Sequence, residues 1–166
     1  MNHKTILRDL STFISISSIS ADSTKGSEMN KAISFLEKKL ENIGFSVEIL
    51  SKEGAWPALF AKFTVPNAEK TIGIYGHYDV QPEDPLDEWT VPPFELTQKD
   101  GKLYGRGTAD NKGHIIQNIA AIENLTQSGK LNSNIIFLIE GEEESGSESF
   151  PHFVEKKKDE LSRVDV

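Results

Sequence analysis

The most constraining stretch of this 166-residue chain is Asn134-Ile135-Ile136-Phe137-Leu138-Ile139, an apolar run entered from a polar loop and left through an acidic one. It is far too short to span a bilayer. Its β-branched and aromatic content reads as a strand. A strand with no alternation has no face to offer water, so other elements must cover it on both sides. The fold class that follows is α/β, with helices layered on a sheet.

Helical and strand-like periods elsewhere supply those layers. Ile6, Leu7, Leu10, Phe13 and Ile14 lie three or four apart and share one helical face. A second helix is expected over 27–43, with Met29, Ala32, Ile33, Leu36, Leu40 and Ile43 on its buried stripe. Strands are expected over 45–50, 58–65 and 71–75. The proline-rich stretch 81–93 must be loop, and 94–98 with 102–104 should form a hairpin around Lys99-Asp100-Gly101. A third helix fits 112–128, buried through Ile115, Ile116, Ile119, Ala120 and Ile122. A last helix over 149–161 can hold Pro151 only in its first turn, and 163–166 reads as the start of another strand. One domain is the expectation at this length.

Composition removes several functions. There are 0 cysteines, which excludes disulfides, thiolate nucleophiles and cysteine zinc sites, so any metal must sit on His, Asp or Glu. With 18 basic and 26 acidic residues the net charge is −8, which argues against a nucleic-acid partner. The first twenty or so residues carry Lys4, Arg8 and Asp9 in a helical pattern and resemble no secretory leader. A soluble, cytoplasmic protein with no membrane partner is expected.

Three polar clusters each follow a strand: Gly76-His77-Tyr78-Asp79, then Gly105-Arg106-Gly107-Thr108-Ala109-Asp110, then Glu140-Gly141-Glu142-Glu143-Glu144. Ligands of open α/β sheets bind outside the carboxyl ends of strands, so distant clusters can meet there. His77, Asp110 and Glu144 offer nitrogen and oxygen donors suited to zinc. Asp79 lies two positions from His77, so in extended chain both side chains point the same way and Asp79 can accept the second ring N–H. Two carboxylates ~5 Å apart at an effective dielectric of ~20 repel by roughly 3 kcal/mol, a cost that a divalent cation reverses. Gly76, Gly105, Gly107, Gly113, Gly141 and Gly146 crowd the clusters and suit tight turns or close backbone approach.

Plainer readings compete. A lone histidine is more often structural than a ligand, and a glutamate run is more often a solvated loop. Asp110 could cap the helix that begins near Lys112. Glu142 reads as surface, Arg106 as structural, and Lys156-Lys157-Lys158 as the wet face of the last helix. His3, His114 and His152 are expected at the surface.

At Gly76-His77-Tyr78-Asp79-Val80-Gln81-Pro82, 104–113 and Glu140-Gly141-Glu142-Glu143-Glu144-Ser145-Gly146-Ser147 the chain resembles the co-catalytic zinc peptidases. That family includes carnosinase, nonspecific dipeptidase, aminoacylase, glutamate carboxypeptidase, acetylornithine deacetylase and succinyl-diaminopimelate desuccinylase. The segment Trp89-Thr90-Val91-Pro92-Pro93-Phe94 is most similar to the dipeptidase branch. The resemblance implies an α/β/α catalytic domain binding two divalent metal ions, zinc foremost, with manganese or cobalt as alternatives. His77 would bind one ion, Asp110 would bridge both and Glu144 would bind the second. Glu143 would be the general base, Asp79 would orient His77, and Asp110–Asn111 would be cis. The implied reaction is amide hydrolysis of a small peptide, or alternatively of an N-acyl amino acid. The family's lid and dimerisation domain and its later ligands have no counterpart here. Residues 1–166 are therefore expected to be the N-terminal portion of such a domain, with weak metal binding and little or no turnover alone, and with homodimerisation reserved for a full-length form. A non-catalytic metal-binding or interaction fragment is the other expectation.

Overall fold

A computed structural model describes residues 3–166. Helix α1 (His3–Ile14) and helix α2 (Gly26–Ile43) precede strands β1 (Ser46–Leu50), β2 (Ala58–Phe63) and β3 (Thr71–His77). A hairpin of β4 (Thr97–Lys99) and β5 (Lys102–Tyr104) leads to helix α3 (Lys112–Gln127) and strand β6 (Asn134–Glu140). Helices α4 (Phe150–Lys156) and α5 (Lys158–Leu161) follow.

The main sheet has the order β1-β2-β6-β3. The apolar run anticipated as a doubly covered strand is β6, paired on both edges and buried from Ile135 to Glu140. One face packs against α1, α2 and α3 through Phe13, Leu36, Leu40, Ile115, Ile119 and Phe137. The other carries Leu50, Phe60, Ile136 and Leu138 under Phe153, with Phe150, Leu161 and Val164 at the rim. Three layers result, α/β/α. Each fully buried Leu, Ile or Phe contributes about 1.5–3 kcal/mol, so the two faces of β6 hold the layers together.

Pairing decides where the chemistry collects. β2 runs antiparallel to β6, whereas β3 runs parallel to it in the register Thr71↔Asn134 through His77↔Glu140. The carboxyl ends of β3 and β6 therefore open on one edge of the sheet. The start of β2 lies on that edge too, since Leu59 pairs with Ile139.

Some local expectations shift. The strand expected over 94–98 is confined to Thr97–Lys99, and Asp100 and Gly101 turn the hairpin with φ of 52° and 73°. The last helix breaks in two at Lys157, whose φ of −111° is not helical. Lys157 is also not wet: it is 8% exposed, and its ammonium reaches Glu48 on β1 at 2.5 Å and lies over the Phe60 ring. Lys156 and Lys158 on either side are exposed, as are His3, His114 and His152. The strand expected over 163–166 is reduced to two backbone bonds along β3, Gly73 N–H to Val166 and Asp165 N–H to Thr71. Among the described residues no helix is long and apolar enough to cross a membrane.

Candidate metal centre

His77 closes β3, and its neighbours beyond the strand stay extended. Tyr78 donates its N–H to the Glu140 carbonyl and Val80 to that of Ser18, at 2.9 Å each. Odd-numbered residues of this segment accordingly share a direction. His77 is buried at 4% exposure and Asp79 is fully buried. Nδ1 of His77 lies 3.3 Å from Asp79 Oδ1 and 3.2 Å from the Asp79 carbonyl, while Nε2 lies 2.9 Å from Asp110 Oδ1.

Asp110 arrives from the loop before α3, and two close approaches place it. At Gly76 an added Cβ would sit 2.8 Å from Asn111 Oδ1 and 3.1 Å from Ile115, so a bare backbone lets α3 start against the end of β3. At Gly113 an added Cβ would sit 1.9 Å from the Thr108 carbonyl, and the Gly113 N–H bonds the Gly107 carbonyl at 3.0 Å. The loop is thereby folded back on the first turn of α3. The Asp110–Asn111 peptide is cis. Asn111, not Asp110, occupies the cap position of α3, and it makes no side-chain cap bond. The Asp110 carboxylate instead faces His77 and is 72% exposed.

Glu143 and Glu144 lie in a 3₁₀ turn, Glu143–Ser145, just after β6. The Glu144 N–H bonds Asp79 Oδ2 at 3.0 Å, and Glu143 Oε2 lies 3.9 Å from His77 Nε2. Ligand atoms of His77, Asp110 and Glu144 fall within 4.8 Å of one another. Among the described residues no other three His, Asp or Glu side chains meet in this way.

Burial alone would lower the His77 pKa, but the carboxylates of Asp79 and Asp110, with Glu143 beyond, outweigh it and raise the imidazole to about 9. The ring sits in a strongly anionic pocket that favours a cation, whether a proton or a metal. Asp79 Oδ1 is buried without a hydrogen bond of good geometry. One imidazole nitrogen and two carboxylates form a donor set that suits zinc, manganese or cobalt, so the residues present fit a divalent ion.

Sequence reasoning missed some supporting residues. Glu142, expected at the surface, is half-buried, and its two carboxylate oxygens accept the N–H groups of Trp56 at 2.9 Å and Ser149 at 3.0 Å. Its carbonyl accepts from Ser145 and Ser147, so Glu142 is the hub of the turn that bears Glu143 and Glu144. Lys112 is fully buried, with Nζ 3.0 Å from the Phe13 carbonyl and 2.6 Å from that of Ile16. Burial pushes its amine down to about 7, against weaker upward pulls from Asp79 and Glu28. A signal was available: Lys112 stands three and four positions before Ile115 and Ile116, on the buried stripe of α3. Arg106 has the structural partners expected of it, donating to the Pro82 carbonyl at 2.8 Å and lying over the Trp89 ring.

A three-layer α/β/α protein with histidine and carboxylate donors gathered at the carboxyl ends of parallel strands defines the class. Residues 73–166 match the family model described as peptidase family M20/M25/M40, and the chain belongs to that family. It is 45% identical over 106 residues to a human Beta-Ala-His dipeptidase, an alignment covering 62% of this chain and 20% of that protein. The structure of human carnosine dipeptidase 1 superposes with a TM-score of 0.89 at 33% identity, over 98% of this chain and 37% of that one. The M20 family metallo-carboxypeptidase Sso-CP2 from Sulfolobus solfataricus gives 0.86 at 36% identity, over 97% and 36%. The chain thus spans little more than a third of the solved chains it matches.

Proposed function

We propose that this chain is the N-terminal portion of the catalytic domain of a cytoplasmic, metal-dependent amide hydrolase of dipeptidase type. His77, Asp110 and Glu144 are its metal ligands, Asp79 orients His77 and Glu143 is the general base. The observation that carries the reading is the approach of the three ligand atoms to within 4.8 Å, with Glu143 alongside. The identity to a dipeptidase and the likeness to a metallo-carboxypeptidase structure support it.

Three donors suffice for one ion with an open position. Two zinc ions, the number favoured here, would share Asp110 and need donors beyond these three. When bound, the metal supplies Lewis acidity that acidifies water and polarises a carbonyl. The protein groups do the rest. Asp79 holds the His77 ring by Nδ1, so that Nε2 points toward Asp110 and Glu144. Glu143 Oε2, at the open side of the cluster, takes a proton from water as the water oxygen bonds to the amide carbon. The same carboxyl returns that proton to the amine nitrogen as the C–N bond breaks.

The test is hydrolysis of a panel of dipeptides, N-acetyl amino acids and N-succinyl amino acids by the full-length protein that contains this chain, as wild type and as Glu143→Gln. A loss of about 10²–10⁴-fold is expected for the variant, with metal affinity kept. Undiminished turnover by Glu143→Gln refutes the assigned base. Preference for acylated amino acids moves the protein to the deacylase or desuccinylase branch. Tight metal binding with no hydrolysis by wild type identifies a non-catalytic module.

A further inference from the structure

The alternation that aims His77 and Asp79 at the site continues to Gln81, a residue to which nothing above assigns a role. Gln81 follows an extended segment tied to the fold at Tyr78 and Val80. Its amide nitrogen lies 2.9 Å from the Glu144 carbonyl and 2.9 Å from Glu144 Oε2. Both of its N–H groups are thus directed at one residue. Asp79 Oδ2 holds the N–H of that same Glu144. Residues 79 and 81 together grip Glu144 by its backbone N–H, its backbone carbonyl and one carboxylate oxygen.

We infer that Gln81 is a positioning residue that presents Glu144 to the metal through a single oxygen, Oε1. The inference rests on the reading of Glu144 as a ligand. A free glutamate rotates about three side-chain bonds and offers either oxygen or both. With Oε2 engaged by an amide donor, the carboxylate plane is set and two-oxygen coordination is disfavoured. Partners of this kind around metal ligands change affinity by about 10–100-fold when removed. Gln81 is exposed, so its side chain is not needed to fill the core. The pairing is also specific in sign: an amide N–H stabilises the carboxylate, whereas an acid at 81 would repel it.

The experiment titrates metal-free wild type, Gln81→Met, Gln81→Lys and Glu144→Ala with Zn²⁺ by calorimetry and with Co²⁺ by visible absorption. Thermal unfolding of each metal-free protein is recorded alongside. The expected result is about 10–100-fold weaker binding by Gln81→Met and an altered Co²⁺ spectrum, with metal-free unfolding unchanged. Gln81→Lys, which restores a donor, recovers part of the loss. Wild-type affinity and spectrum in Gln81→Met, with affinity lost in Glu144→Ala, overturn the role of Gln81 and leave the ligand assignment standing. Wild-type affinity in Glu144→Ala overturns the ligand assignment, and the inference with it.

Discussion

Glu142→Ala removes the acceptors of two backbone N–H groups at once, those of Trp56 and Ser149. A hydrogen bond to a charged acceptor contributes about 1.5–3 kcal/mol. Trp56 is half-buried, so water can replace part of what its N–H loses, whereas Ser149 is 5% exposed and its N–H has less recourse. The lower end of the range fits both bonds, which gives about 3 kcal/mol for the alanine variant. Unfolding entropies of about 2.1 cal/mol/K per residue make that a fall in Tm of about 9 °C for a chain of this length. Glu142→Gln keeps one oxygen acceptor and should lose about half as much. Thermal and urea unfolding followed by circular dichroism measure both. Because the hub carries Glu143 and Glu144, zinc affinity should fall in the same order, wild type above Gln above Ala. A Tm change of only about 1 °C in Glu142→Ala would return Glu142 to the solvated surface and refute the reasoning.

Gly113→Ala should be destabilising by about 1–3 kcal/mol, because the new methyl group collides with the Thr108 carbonyl and displaces the loop that carries Asp110; urea unfolding and zinc calorimetry check it, and wild-type values in both contradict it. Asp165 accepts from the Thr71 N–H at 2.8 Å and from Lys70 at 3.2 Å, which holds its carboxyl below the ordinary 3.8. A depressed carboxyl stabilises the fold above its unfolded pKa and loses that contribution as pH falls through the folded one. Asp165→Asn should therefore flatten the acid limb of stability against pH, read as urea midpoints above and below 3.8; superimposable acid limbs in variant and wild type argue against it. A chelator should leave far-ultraviolet dichroism of the zinc-loaded protein unchanged while lowering its Tm, as loss of a ligand from a native-state site requires. Global loss of secondary structure on chelation would contradict the metal-independent core of β6.

Much of the architecture was legible because its signals are local. The unalternating run of β6 called for cover on both faces, and the helical stripes of α1, α2 and α3 supply it on one of them. His77, Asp110 and Glu144 stood out because each follows a strand end, and the fold brings them together. What escaped depends on partners far along the chain. Glu142 looks like any glutamate in an acidic loop until Trp56, 86 residues away, is folded against it. Lys157 belongs to a basic run that reads as solvated, yet it is buried against Glu48, 109 residues away, at the point where the helix breaks. The strand expected over 163–166 was misjudged for a different reason: alternating Val164-Asp165-Val166 satisfies the pattern, but only two backbone bonds tie it to β3.

The parallel register of β3 and β6 has a consequence for folding. Side chains alternate along a strand, so displacing β3 by one position would turn the imidazole of His77 away from the carboxylates and toward α3. Correct alignment of the ladder and assembly of the donor set are therefore one event. On the proposed ligand assignment, a molecule with β3 out of step lacks the imidazole donor, so metal uptake would report the alignment of its strands.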